Sequence, residues 1–182
     1  MLKKLMAAAV MTMALAAPAM AANDDDNLQT FRDVQKQVLT YPHFTVFDSV
    51  KMQITDGGVV TLDGAVTMPY KREDIEKRVA KLAGVTKVDN RIEVLPVSQY
   101  DDELRVRIAR SIYGNSNFWG YASMVNPPIH IIVKGGHVTL EGVVNSNVDR
   151  MLARSLASQF GAFSVTNDLK TDAEAKAELE RL

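Results

Sequence analysis

Cysteine is absent from all 182 residues. No disulfide can staple this chain, no thiolate can act as a nucleophile, and no lipidated cysteine can tether it to a membrane. Histidine is scarce: only His43, His130 and His137 occur, with no third metal ligand at a useful spacing. They read as solvated or locally hydrogen-bonded side chains. A Gly-x-Ser-x-Gly elbow is missing, so the common hydrolase nucleophile is excluded as well. Basic charge is not in excess. With 21 Lys and Arg against 22 Asp and Glu, the chain lacks the basic face that nucleic acid demands. The apolar run from Leu5 to Ala16 falls short of the roughly 20 residues a membrane-spanning helix needs.

That run is instead part of an export signal. Lys3 and Lys4 supply a charged start and Ala19-Met20-Ala21 a small-residue cleavage site, so residues 1–21 are expected to be removed. The mature chain then carries 19 basic against 22 acidic side chains, a net charge of −3. It is expected to be periplasmic, soluble and not a lipoprotein, with no transmembrane segment left after signal removal. About 160 mature residues make one domain or two small ones.

A repeat decides for two. Gly57-Gly58-Val59-Val60-Thr61-Leu62-Asp63-Gly64-Ala65-Val66 returns without a gap as Gly135-Gly136-His137-Val138-Thr139-Leu140-Glu141-Gly142-Val143-Val144. The copies differ only at Val59/His137, Asp63/Glu141 and Ala65/Val143, and the acidic pair keeps its charge. A glycine turn followed by alternating aliphatic and polar residues is the second half of a hairpin, burying Val60, Leu62 and Val66 on one face. Gly57, Gly58, Gly64, Gly135, Gly136 and Gly142 are read as structural turn glycines. A strand, not a helix, follows each glycine pair, so neither is a phosphate loop, and no cofactor is implied.

Around each hairpin the same order of elements can be read. Residues 22–27 form an acidic lead-in, expected to be disordered. Phe31, Val34 and Val38 at i, i+3, i+7 mark a helix that ends by Tyr41-Pro42. Val50 to Ile54 and Val59 to Val66 are the hairpin strands. Thr67 is expected to cap a second helix, with Pro69 in its first turn, Ile75, Val79 and Leu82 inward, and Lys71, Arg72, Glu73, Glu76, Lys77 and Arg78 in water. Gly84 closes it, and Val85 to Val94 is the third strand. Residues 28–95 thus form one unit and 96–100 a linker too short to let two domains separate. In the second unit, 101–170, Leu104, Ile108 and Ile112 face inward from the first helix. Ile129 to Val133 and His137 to Val144 form the hairpin. Val148, Leu152, Leu156 and Phe160 face inward from the second helix, and Phe163 to Lys170 is the last strand. Residues 171–182, rich in Ala, Glu and Lys, read as a frayed helical tail.

One register conflict stands out. A two-residue turn puts Ile129, Ile131 and Val133 on the same face as Val138 and Leu140, but would put Met52 and Ile54 on the other face of the sheet from Val60 and Leu62 in the first copy. The first hairpin needs a longer loop or a bulge.

With Val60 to Val66 and Val85 to Ile92 matched to Val138 to Val144 and Phe163 to Leu169, the chain resembles a tandem of two BON domains, named for bacterial osmotically inducible and nodulation proteins. The Pro127-Pro128-Ile129-His130-Ile131-Ile132-Val133 approach to the second hairpin is similar to that of exported two-BON proteins. The resemblance implies an α+β fold of two tandem αββαβ units, each a three-stranded mixed sheet packed on two helices. It implies an envelope protein linked to osmotic or envelope stress, to phospholipid binding and, in one branch, to chaperone-like support of outer-membrane proteins. It implies no enzymatic activity.

The repeats diverge most in Tyr113-Gly114-Asn115-Ser116-Asn117-Phe118-Trp119-Gly120-Tyr121, about four residues longer than its counterpart. Phe118, Trp119 and Tyr121 either face a lipid or protein partner or fold back to seal the contact between units. Arg105, Arg107 and Arg110 on the preceding helix either meet anionic headgroups or solvate the helix and pair with Asp101 to Glu103. Two partner classes follow: an anionic phospholipid membrane surface, or partly folded envelope proteins held by the same aromatics and by exposed sheet edges.

Overall fold

The computed structural model describes residues 20–55 and 57–179. The expected signal peptide, apart from Met20 and Ala21, lies outside the described residues, as does Asp56. In the first unit α1 (Met20–Leu39) precedes β1 (Ser49–Thr55), β2 (Val59–Val66), α2 (Pro69–Val79) and β3 (Lys87–Val94). In the second, α3 (Gln99–Tyr113), a 3-10 turn (Ser116–Phe118) and α4 (Trp119–Ala122) precede β4 (Ile129–Lys134), β5 (His137–Val144), α5 (Asn147–Ala157), β6 (Ser164–Thr171) and a closing α6 (Asp172–Leu179). Each sheet has its hairpin antiparallel and its third strand parallel to the middle one, in the orders β1-β2-β3 and β4-β5-β6. A parallel return needs a long crossover, which α2 and α5 provide.

Side-chain periodicity places both cores. Val34 and Val38 of α1, Val60, Leu62 and Val66 of β2, and Ile75 and Val79 of α2 meet over Ile92. Leu104, Ile108 and Ile112 of α3 meet Ile129, Ile131 and Val133, with Val138 and Leu140 beneath. From α5 the fully buried residues are Ala153 and Ala157; Leu152 and Leu156, with Phe160 just past the helix end, are half-buried, and Val148, expected inward, is exposed.

The register conflict is resolved by loop length. Thr55 pairs with Val59, leaving three residues between the strands, whereas Lys134 pairs with His137 and leaves two. The extra residue brings Met52 opposite Leu62 and Ile54 opposite Val60, so all four share the core face. Gly64 and Gly142 are not turn residues. They sit inside β2 and β5 at φ 133° and 119°, and a Cβ there would lie 2.1 Å from the Ser49 carbonyl oxygen and 1.8 Å from that of Pro128. Each lets the chain entering the hairpin press against the middle strand.

Four boundaries are corrected. The stretch 22–27 belongs to α1 rather than to a disordered lead-in. The linker is shorter than 96–100, because α3 begins at Gln99 with Ser98 as its cap. Thr67 does not cap α2; Met68 holds that position without a side-chain bond. β6 runs to Thr171, one residue into the expected tail, and the helix that follows is tied back: Glu174 of α6 accepts the Thr171 N–H at 2.8 Å and pairs with Arg150 at 3.0 Å.

The units touch, as the short linker requires. The Val46 carbonyl accepts the Ile131 N–H at 2.7 Å, covering the free edge of β4, and Phe47 packs against the second core. Glu141 on β5 accepts Ser49 Oγ at 2.5 Å and Lys51 Nζ at 2.8 Å, and Asn126 donates to the Leu39 carbonyl at 2.9 Å.

Candidate functional site

The long connection of the second unit is built by two buried rings around an exposed one. Asn115 accepts the Asn117 N–H and starts the 3-10 turn. Phe118 and Tyr121, three residues apart, point to the same side and pack with ring centroids 5.8 Å apart inside the second core. Trp119, one step round, is 65% exposed, and Met124 and Val125 beyond it are exposed too. Of the expected aromatic patch only Trp119 reaches the surface. Phe118 and Tyr121 are its anchors, and they close their own unit rather than the contact between units.

Tyr121 is held at its polar end as well. Its hydroxyl accepts the Asn145 N–H at 2.7 Å and donates to Asp149 Oδ2 at 3.0 Å. Burial and the Asp149 carboxylate push its ionisation up, against the Asn145 N–H, so it remains a neutral donor. Tyr113, expected in the loop, ends α3 and anchors the other side: its hydroxyl donates to the Ile129 carbonyl at 2.5 Å and accepts the Ile129 N–H at 3.1 Å.

The three arginines part company. Arg105 is 3% exposed, donates to the Val133 carbonyl at 2.6 Å and pairs with Asp102, so it is unavailable to headgroups. Asp101 beside it accepts the N–H groups of Gly135 and Gly136 at 2.9 and 2.8 Å, which ties the start of α3 to the β4–β5 turn. Arg107 is exposed and pairs with Glu103 at 3.2 Å. Arg110 is exposed and has no ion pair among the described residues. Their order on the helix decides this: Arg105 lies with Leu104, Ile108 and Ile112 on the inward face, the other two opposite.

The first unit has a buried ionic centre that sequence reasoning missed. Lys71, expected in water, is 4% exposed and lies 2.6 Å from the fully buried Asp48. Asp48 also accepts the N–H and hydroxyl of Thr45 and of Thr67 at 2.7 to 3.0 Å. Burial alone would raise its pKa, but the Lys71 ammonium and these donors outweigh burial and hold the carboxyl below its ordinary value.

Between the units runs an open cleft of about 740 Å³ lined by Val38, Phe44, Met52, Pro128, His130 and Val143 among others. Its ionic rim is largely spoken for, Glu141 by Ser49 and Lys51, Arg150 by Glu174. His130, expected to be solvated or locally hydrogen-bonded, is half-buried. It packs on Phe44 with centroids 5.5 Å apart, its Nδ1 has no partner, and burial holds its pKa below the ordinary imidazole value. His137 does bond locally, to Ser164 Oγ at 2.8 Å. Among the described residues no group of three or more His, Asp and Glu side chains is placed to hold a metal, and no helix is long and apolar enough to cross a membrane.

The BON domain model matches twice, over residues 24–96 and 101–173, which are the two αββαβ units just described. The chain belongs to the BON domain family. No curated protein matches it. Among solved structures this BON protein is similar to CdsD, described as a structural protein of the type III secretion system of Chlamydia trachomatis. The identity is 14% over 84% of this chain and 97% of that one, with a TM-score of 0.31. It is likewise similar to the C-terminal domain of CdsD, 13% identical over 77% of this chain and 96% of that one, TM-score 0.30. Likeness at that level carries no functional argument for the BON pair.

Proposed function

We propose that this BON protein is a non-enzymatic, exported module of the cell envelope that rests on anionic phospholipid through the Trp119 segment of its second unit, in the setting of osmotic or envelope stress. The observation that carries the reading is Trp119 itself, exposed between the buried anchors Phe118 and Tyr121. An indole with an apolar body and one N–H donor is suited to the boundary between acyl chains and headgroups. Holding it on a rigid turn reduces the entropy lost on docking. Arg107 and Arg110 add attraction of about 1 kcal/mol each near an anionic surface. Arg105 adds none, because its charge is buried. Binding by two cations and one ring is weak and salt-sensitive.

The test is co-sedimentation of the mature protein with phosphatidylglycerol-containing and with pure phosphatidylcholine vesicles. Pelleting with the former alone, reduced by salt and by the Arg107→Gln/Arg110→Gln pair, is expected. Equal pelleting with both, or none, contradicts the reading.

A second reading, a chaperone-like or protein-binding role, is favoured by a different surface. Phe163 is exposed and lies against Tyr100 and His137, with centroids 6.2 and 5.8 Å away, where the first unit has no aromatic residue. Suppression of a client's aggregation that resists salt and is lost on Phe163→Ser supports that role. No suppression contradicts it.

A further inference from the structure

The two second helices, α2 and α5, keep the same inward positions but differ outward. Ile75 and Val79 are matched by Ala153 and Ala157, all buried. Outward, α2 carries Tyr70, Glu73, Glu76 and Lys77, and the same positions of α5 carry Val148, Met151, Arg154 and Ser155. Two carboxylates have thus become a thioether and a guanidinium. Val148 is 72% and Met151 71% exposed, so neither contributes to the fold's own core. Arg154, like Arg110, has no ion pair among the described residues.

Geometry joins this face to Trp119. The hydroxyl of Tyr121, two residues after Trp119, bonds Asp149, the neighbour of Val148 in the first turn of α5. Both α3 and α5 pack their inward stripes on one face of the second sheet and against each other, so their outward faces look away from the sheet together. That layer carries exposed Arg107, Arg110 and Arg154 with exposed Val106, Val148 and Met151.

We infer that the outward face of α5 — Val148, Met151 and Arg154 — is a second contact with the anionic membrane surface, so that the second unit lies helix-side down. This rests on the lipid reading above and extends it from one segment to a surface. Apolar side chains interleaved with cations, of which Arg110 and Arg154 have no ion pair among the described residues, fit a negatively charged interface: valine and methionine enter the acyl boundary and arginine meets the phosphate. The same positions of the α2 face hold Glu73, paired with Lys77 at 3.4 Å, and Glu76, which accepts from Asn90 at 2.8 Å, so they offer the surface neither an apolar side chain nor an unpaired cation.

The absence of cysteine allows a clean test. Met151→Cys labelled with an environment-sensitive nitrobenzoxadiazole dye is compared with Glu73→Cys labelled likewise, on mixed phosphatidylcholine–phosphatidylglycerol vesicles, with Trp119 emission followed in parallel. A blue shift at position 151 and none at 73 is expected, and the Val148→Ser/Met151→Ser pair loses at least about tenfold in vesicle affinity. If Trp119 responds but the dye at 151 does not, or the paired variant binds as wild type, the α5 contact is wrong and the Trp119 reading stands. If wild type does not bind at all, both fall. A shift at 151 without vesicles that grows with protein concentration marks the face as a self-association surface and overturns the inference.

Discussion

Asp48 and Tyr121 hold equivalent posts in the two repeats. Asp48 Oδ1 accepts the N–H of Thr67 at 2.8 Å, and the Tyr121 hydroxyl accepts that of Asn145, the matching residue, at 2.7 Å. Four residues on, Lys71 donates to Asp48 in the first unit, whereas Asp149 accepts from Tyr121 in the second. A buried ion pair has been replaced by a neutral hydroxyl feeding a carboxylate. The swap occurs where the second unit carries its longer connection, so Trp119 is presented by the element that replaces the ionic centre.

Removing that hydroxyl tests the arrangement. Tyr121→Phe leaves the Asn145 N–H without its acceptor and is expected to cost about 1–3 kcal/mol. Urea denaturation of the mature protein measures it. An unchanged midpoint shows that the hydroxyl does not pin the Trp119 segment.

Lys71→Met leaves Asp48 buried without its counter-charge, with an expected loss of about 3–5 kcal/mol; Asp48→Asn added to it recovers part of that. The pH dependence has a definite sign. Asp48 has a depressed folded pKa, so its stabilisation is complete above its unfolded value of about 3.9 and is lost as pH falls through the lower folded value. In Lys71→Met the acid limb of a stability-versus-pH curve moves upward. An unmoved limb contradicts the pairing.

Much of this architecture was legible in the chain, and the limits have physical causes. The repeat, the glycine pairs and the alternation of Val60, Leu62 and Val66 are local signals, and they place hairpins, helices and cores. The pairing of Arg105 with Asp102 and of Arg107 with Glu103 follows one of the two expected alternatives, but the burial of Lys71 and Arg105 is not legible locally because what buries them is remote: Asp48 is 23 residues away and the Val133 carbonyl 28. Helical spacing fails for Val148 because the alanines Ala153 and Ala157, not the larger residues, sit closest to the sheet. Phe118, Trp119 and Tyr121 have one composition and two fates, and only the i, i+3 relation of the outer pair hinted at the division. The half-buried seat of His130 depends on Phe44, from the other unit, and no local pattern encodes it.

His130 is expected to make the seam between units sensitive to mild acid. Glu141 faces it from the partner strand, and the Phe44 ring and the Thr45–Asp48 backbone face it from the first unit. Burial outweighs the Asp48 and Glu141 carboxylates and depresses its pKa, so the neutral ring's contribution is present above about 6.5 and lost as pH falls through the folded value. Wild type is expected to lose stability across that window and His130→Phe to lose less. Parallel curves contradict this.

Gly142→Ala and Gly64→Ala are expected to destabilise their units severely, since each added Cβ meets a carbonyl oxygen at the distances given above and the φ angles suit glycine alone. Circular dichroism melts report it. A melt within a few degrees of wild type for either variant would show that the hairpin shifts to accommodate the methyl group.

The central claim, that Trp119 is exposed in order to meet an anionic lipid surface, is tested most directly by its own fluorescence. It is the single tryptophan, so its emission needs no deconvolution. On titration with phosphatidylglycerol-containing vesicles the emission is predicted to shift to the blue, reversibly with salt, and to stay unchanged with phosphatidylcholine alone. An emission that remains that of a water-exposed indole in both titrations would contradict the account.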